Sequence, residues 1–113
     1  SPDAAVINLG TNDANAIRSG LGPAGPDGFE EGALAFLRQL RREHPAARLV
    51  WACGMLDDPL RPQLERAVSR FGDAWYLPLP AVTPETMGSR QHPGPACHRE
   101  AAQVTAKFLQ TIL

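Results

Sequence analysis

Two polar residues suited to acyl-transfer chemistry follow short apolar runs of the sequence. Asn12 stands in a Gly-Thr-Asn-Asp segment directly after the apolar run 4–9, and His92 stands in a glycine-containing segment downstream of the apolar run 74–77. An asparagine amide can donate a hydrogen bond to a developing oxyanion, and an imidazole can act as a general base near neutral pH. The two residues therefore indicate an acyl-transfer site, provided that the fold brings them to one edge.

The elements that must position these residues are predicted to alternate between strand and helix. The predicted strands span 4–9, 49–53 and 74–77, with Pro78 ending the third, and the predicted helices span 27–44, 59–71 and 95–112. The first strand is apolar apart from Asn8, so we expect it to be covered on both faces. Alternating strands and helices give a parallel sheet, whose functional loops follow the carboxyl ends of the strands. Asn12 and His92 are therefore expected at the same edge.

Composition narrows the class of protein. The chain has 113 residues, 43% of them hydrophobic and 20% charged, with a formal net charge of −1. These values are typical of one globular domain and argue against recruitment to nucleic acid or an anionic membrane by bulk charge. No apolar run reaches the roughly 18 residues of a membrane-spanning helix. Two cysteines are too few for a disulfide scaffold. The sequence leaves open whether Cys53 and Cys97 form a single disulfide.

Two sequence blocks carry a resemblance to a known family. The segment PDAAVINLGTND and the later segment HPGPACHREAA resemble motifs of the SGNH (GDSL-like) hydrolase superfamily, and REHPAARLVWACGML between them looks most like its acetyl-esterase branch, carbohydrate esterase family 2. The resemblance implies a three-layer α/β/α, flavodoxin-like fold. It also implies a serine ester hydrolase that deacetylates a carbohydrate or another small acyl ester. Asn12 would donate to the oxyanion and His92 would be the base, supported by Gly10, Asp13 and Ser89, with no metal or organic cofactor.

The resemblance covers only part of the family's catalytic domain. Residues 1–113 correspond to the C-terminal portion of a single SGNH-hydrolase domain, so the Gly-Asp-Ser nucleophile block and a glycine oxyanion donor are expected outside them. The family's acid three residues before the base is replaced by Ser89. A backbone carbonyl near the base can orient its ring instead, and Asp57 or Glu85 are the alternative acids.

The sequence also allows interpretations other than an enzyme. The chain can be a non-catalytic SGNH-like binding module or an inactive fragment, in which Asn12 is a turn residue and His92 a loop histidine. Trp51 is expected in the core, and His98 on the solvent side of the last helix. Arginines 38, 41, 42 and 48 are expected on a solvated face. The expected partners are an acyl-ester substrate and the N-terminal part of the domain, and no compartment is indicated.

Overall fold

A parallel sheet flanked by helices organises the chain. A computed structural model describes residues 2–9, 25–54, 59–88 and 92–113. The strands are β1 (Ala4–Ile7), β2 (Arg48–Gly54) and β3 (Trp75–Leu79), and the helices are α1 (Gly25–Glu43), α2 (Arg61–Phe71) and α3 (Pro95–Ile112). The strand order is β1-β2-β3, and both pairs are parallel. The predicted α/β class is confirmed.

Side chains of the central strand alternate between two apolar layers. Leu49 and Trp51 belong to the core cluster formed with α1 and α2, whereas Val50 and Ala52 belong to the cluster that packs against α3. All four side chains are at most 2% exposed. The period of two along β2 therefore separates the helices into two layers, one on each face of the sheet. The result is the predicted three-layer α/β/α arrangement.

Two predicted boundaries near β3 have different outcomes. Gly72 caps α2 with a φ of 82°, and its N–H donates to the carbonyl of Val68, as expected for a glycine after a helix. The prediction that Pro78 ends the third strand is wrong, because β3 continues to Leu79. In the described part of the chain β3 pairs only with β2, and a proline on such an edge strand needs no N–H on its outer side.

The first strand is shorter and more exposed than its apolar sequence predicts. It ends at Ile7 rather than Leu9, and the side chain of Val6 is 44% exposed. Val6 is in register with Val50 and lies on the same face of the sheet. On that face α3 packs over β2 and β3. The prediction that this strand is covered on both faces is therefore wrong for the described residues, which leave one face of β1 open.

Arg41 ties two turns together at the amino edge of the sheet. Its Nη1 donates to the carbonyls of His44 (3.1 Å), Pro45 (3.1 Å) and Ala47 (2.8 Å), in the turn before β2. Its Nη2 pairs with Asp73 in the turn before β3 at 3.0 Å. The expectation of a solvated face is wrong for Arg41, which is half-buried and structural.

A buried carboxylate joins α1 to α2. Glu30 is 9% exposed and accepts hydrogen bonds from Arg66 Nε and Arg70 Nη1, both at 2.8 Å. The hydrogen bond from Arg66, followed by that from Arg70, lowers the pKa of Glu30 below its usual range. Arg70 also pairs with Glu31. This network fixes the two helices that cover one face of the sheet.

Candidate active site at the carboxyl edge of the sheet

The direction of α3 brings His92 to the carboxyl edge. Cys97, near the start of α3, packs with Leu79 at the end of β3. At the other end of the helix, the carbonyl of Ile112 accepts a hydrogen bond from Nε of Arg48, the first residue of β2, at 3.3 Å. The helix therefore runs antiparallel to the strands. His92 precedes α3, so it lies at the edge where the functional loops of a parallel sheet are found.

The main chain on both sides of His92 is fixed by a small antiparallel bridge. Met87 pairs with Pro93. The N–H of Gly88 donates to the carbonyl of His92, and the N–H of Gly94 donates to the carbonyl of Thr86, each at 2.7 Å. The histidine side chain itself is exposed. The bridge therefore presents an accessible imidazole on a main chain held by two short hydrogen bonds.

Two glycines make this bridge sterically feasible. A Cβ at Gly94 would lie 2.9 Å from the carbonyl oxygen of Thr86 and 3.1 Å from the nitrogen of Gly88. A Cβ at Gly88 would lie 3.0 Å from the Cα of Gly94. Distances of this size are shorter than ordinary van der Waals contact between these atoms. The backbone segments on either side of His92 can approach this closely only because both residues lack a side chain.

A buried thiol anchors the helix that follows. Cys97 is 0% exposed and packs with Ala101, Leu79 and Val82. The thiol of Cys97 is not part of a disulfide, and Cys53 packs against the core cluster on the opposite face of the sheet. The pairing that the sequence left open is therefore not formed. Cys97 acts as a small apolar residue that holds the start of α3 on the end of β3.

Trp51 reaches the point where the Gly-Thr-Asn-Asp segment begins. It is 2% exposed, which confirms its predicted place in the core. Its indole Nε1 donates to the carbonyl of Leu9 at 3.1 Å. Leu9 is the last described residue before that segment. Sequence reasoning missed this contact, and the only signal for it was an aromatic residue with an N–H donor on the central strand.

The end of β2 lies between β1 and β3 in the sheet. Gly54 has a φ of 130°, and a Cβ there would lie 2.7 Å from the carbonyl oxygen of Leu79, its partner in register on β3. Both features require glycine. β1 ends at Ile7, in register with Trp51, whereas β2 continues to Gly54 beside Leu79 of β3. β2 and β3 therefore extend beyond β1 at the carboxyl edge of the sheet.

The structure describes one of the predicted site residues, His92. Gly10, Asn12, Asp13 and Ser89 lie outside the described residues, as does Asp57, and Glu85 is exposed in the turn that precedes the bridge. The orientation of the His92 ring by a carbonyl therefore stays a prediction. Within residues 2–9, 25–54, 59–88 and 92–113, no three or more His, Cys, Asp or Glu side chains are grouped as metal ligands would be. No helix of these segments is long and apolar enough to cross a membrane.

Three solved structures share this fold over 98% of the chain. An acetyl xylan esterase from the rumen bacterium Butyrivibrio proteoclasticus superposes with a TM-score of 0.87 and 26% identity, over 37% of its own length. A carbohydrate esterase family 2 enzyme with a carbohydrate binding domain, from Corynascus thermopiles (Myceliophthora fergusii), gives 0.80 and 25%, over 37% of its length. The chain has the fold of carbohydrate esterase family 2 enzymes. The third, a family two carbohydrate esterase from Clostridium thermocellum in complex with cellohexaose, gives 0.75 and 23%, over 36% of its length.

These neighbours confirm the resemblance to the SGNH superfamily and its carbohydrate esterase family 2 branch. All three neighbours are themselves esterases. The chain spans little more than a third of their length. No protein-family model and no curated protein matches the sequence.

Proposed function

We propose that this chain is part of an SGNH-type serine ester hydrolase that removes acetyl groups from a carbohydrate. The observation that carries the proposal is the fold match to an acetyl xylan esterase over 98% of the chain, with a TM-score of 0.87. Fold alone does not imply function. The proposal gains weight because Asn12 and His92 follow strands whose carboxyl ends share one edge of the sheet.

The proposed reaction divides the chemistry between this chain and a serine outside it. The serine hydroxyl attacks the ester carbonyl carbon while His92 accepts its proton, and the side-chain amide of Asn12 donates to the tetrahedral oxyanion. Collapse of the intermediate expels the sugar alcohol, which takes the proton back from His92. Water then hydrolyses the acyl-serine with His92 again as base.

The fixed main chain around His92 supports its assignment as the base. A base must hold its ring nitrogens in one orientation relative to the nucleophile. The bridge hydrogen bond from the Gly88 N–H to the His92 carbonyl and the tight contact between Gly88 and Gly94 restrict the backbone from which the imidazole projects. In this proposal Ser89 and its neighbours supply the carbonyl that orients the ring.

The domain organisation is proposed with the function. In the described residues β1 pairs only with β2, and Val6 of β1 is 44% exposed. The chain covers 37% of the length of each of two neighbours, so more than half of each neighbour has no counterpart in it. The remaining part of the SGNH domain, with the nucleophile block, is proposed to pack beside β1 and to cover Val6.

The experiment that tests the function uses the full-length protein with an aryl acetate and acetylated xylo-oligosaccharides. Asn12→Ala should lower kcat by roughly 10²–10³ with little change in KM, the pattern for loss of an oxyanion donor. His92→Ala, made in the wild-type background, should abolish most of the serine-dependent turnover. His98→Ala is the matched control, because His98 is also an exposed histidine near the start of α3 and should keep wild-type kcat.

The outcomes separate the alternatives. If the Asn12→Ala variant keeps the wild-type kcat, Asn12 is a turn residue and not the oxyanion donor. Equal losses in the His92 and His98 variants remove the assignment of His92 as base. Saturable carbohydrate binding without hydrolysis in the full-length protein would establish the binding module instead.

A further inference from the structure

A turn over residues 83–86 leads directly into the bridge that holds His92. The turn is closed by the N–H of Thr86, which donates to the carbonyl of Thr83 at 3.0 Å. Pro84 occupies the second position of the turn, where the fixed φ of proline is favourable. Thr86 also belongs to the bridge, since its carbonyl accepts the N–H of Gly94 at 2.7 Å. The turn therefore sets the position of one side of the bridge.

The side-chain hydroxyl of Thr86 closes the same turn a second time. Its Oγ1 accepts the N–H of Thr83 at 2.8 Å and lies 3.1 Å from the hydroxyl oxygen of Thr83. Oγ1 also donates to the carbonyl of Thr83 at 3.3 Å. Thr83, Pro84 and Glu85 are exposed, so burial of their side chains contributes little to holding the turn. The hydrogen bonds of Thr86 therefore do much of the work of fixing this turn.

Two hydrogen bonds connect the position of Thr86 with that of His92. The carbonyl of Thr86 holds the N–H of Gly94, two residues after His92, and the N–H of Gly88, two residues after Thr86, holds the carbonyl of His92. Pro93 lies between His92 and Gly94, and its ring leaves φ little freedom. A displacement of Thr86 therefore moves the main chain from which the exposed imidazole of His92 projects.

We propose that Thr86 is a positioning residue for His92, an inference that rests on the proposed esterase function. A general base is effective only within hydrogen-bond reach of the proton that it accepts, and a misplacement of about 1 Å can cost roughly 100-fold in rate. The hydroxyl of Thr86 contributes by locking the turn whose last carbonyl fixes the bridge. It acts through the main chain and touches neither the substrate nor the reacting atoms.

The test removes the hydroxyl in the full-length enzyme and measures hydrolysis of an aryl acetate. Thr86→Val keeps the branched shape but leaves the Thr83 N–H without its side-chain acceptor. This variant should lower kcat roughly ten-fold with KM nearly unchanged. Thr86→Ser restores a hydroxyl at the same place and should recover most of the wild-type kcat. Wild-type kcat in Thr86→Val, or an equal loss in Thr86→Ser, would overturn the inference.

A third variant covers the case in which Thr86→Val does not fold. Thr86→Ala removes the hydroxyl without placing a methyl group at its site, and its kcat then decides the question. If neither variant folds, the hydroxyl is required for folding rather than for positioning, and the inference is overturned.

A matched control separates positioning from a general loss of stability. Thr105 is also half-buried, and its hydroxyl donates to the carbonyl of Ala101 within α3 at 2.8 Å. Thr105→Val therefore removes one hydroxyl hydrogen bond far along the chain from the bridge. It should keep the wild-type kcat even if the melting temperature falls. A loss of kcat in Thr105→Val equal to that in Thr86→Val would overturn the inference.

A double-mutant cycle tests whether Thr86 acts through His92. In a His92→Ala background, Thr86→Val should lower the residual kcat no further, since the positioned group is gone. Equal losses in both backgrounds would overturn the inference and leave the esterase function intact. A wild-type enzyme without esterase activity, or a His92→Ala enzyme with unchanged kcat, would overturn the proposed function itself.

Discussion

Alanine at Gly94 is expected to weaken the bridge that holds His92 in place. The φ of −88° and ψ of −178° at Gly94 are open to alanine, so the backbone conformation itself adds no penalty. The penalty comes from the new Cβ, which would lie 2.9 Å from the carbonyl oxygen of Thr86. Relief of this contact requires the segments on either side of the bridge to separate.

The magnitude follows from the two hydrogen bonds that close the bridge. The pairs Gly94 N–H to Thr86 carbonyl and Gly88 N–H to His92 carbonyl both measure 2.7 Å, and both lie across the gap that the methyl group must widen. Each such hydrogen bond contributes about 1 kcal/mol net, so losing both costs about 2 kcal/mol of unfolding free energy. The same displacement moves His92, and we expect kcat to fall about ten-fold or more.

The assay compares urea unfolding and aryl acetate hydrolysis of full-length variants. Gly32→Ala is the matched control, since Gly32 lies on the exposed face of α1 and a Cβ there meets nothing within 4 Å. This change should raise stability by roughly 0.5–1 kcal/mol and leave kcat unchanged. A Gly94→Ala protein with the wild-type unfolding midpoint would refute the steric argument. A destabilised protein with wild-type kcat would refute the link between the bridge and His92.

Three further results are expected. Glu30→Gln should lower the melting temperature more than the exposed control Glu31→Gln. Because the pKa of Glu30 is lowered in the folded protein, the ionised carboxylate stabilises the fold above the unfolded pKa of about 4.3, and this stabilisation is lost as the pH falls below that value. A difference in melting temperature between wild type and Glu30→Gln that does not shrink from pH 6 to pH 3 would argue against this. Val6→Lys should destabilise the full-length protein by roughly 1–3 kcal/mol if the rest of the domain covers β1, whereas an effect below about 0.5 kcal/mol would mean that Val6 stays exposed. Residues 1–113 alone should hydrolyse no aryl acetate, and turnover blocked by a serine-directed inhibitor would contradict this.

The sequence predicted the order and type of the elements because those features depend on neighbouring residues. The apolar run at 49–53 and the helical spacing after Pro95 are local patterns, and β2 and α3 form where they predict. Gly72 ends α2 because a residue with positive φ is needed there, which is again a local requirement. The motifs around Asn12 and His92 likewise indicated the esterase resemblance without any knowledge of the fold.

Tertiary structure decided the features that depend on distant contacts. Pro78 stays within β3 because this strand lies at an edge of the described sheet, and Arg41 is half-buried because it ties two turns together. The Trp51 indole meets Leu9, and Gly94 meets Thr86, only after the chain has folded. Short-range patterns record which face of an element is apolar, but they carry no information about which peptide group a side chain will reach across the sheet. For this protein the residue types of the candidate site are therefore in the sequence, and what holds His92 in place is set by contacts between segments that meet only in the folded chain.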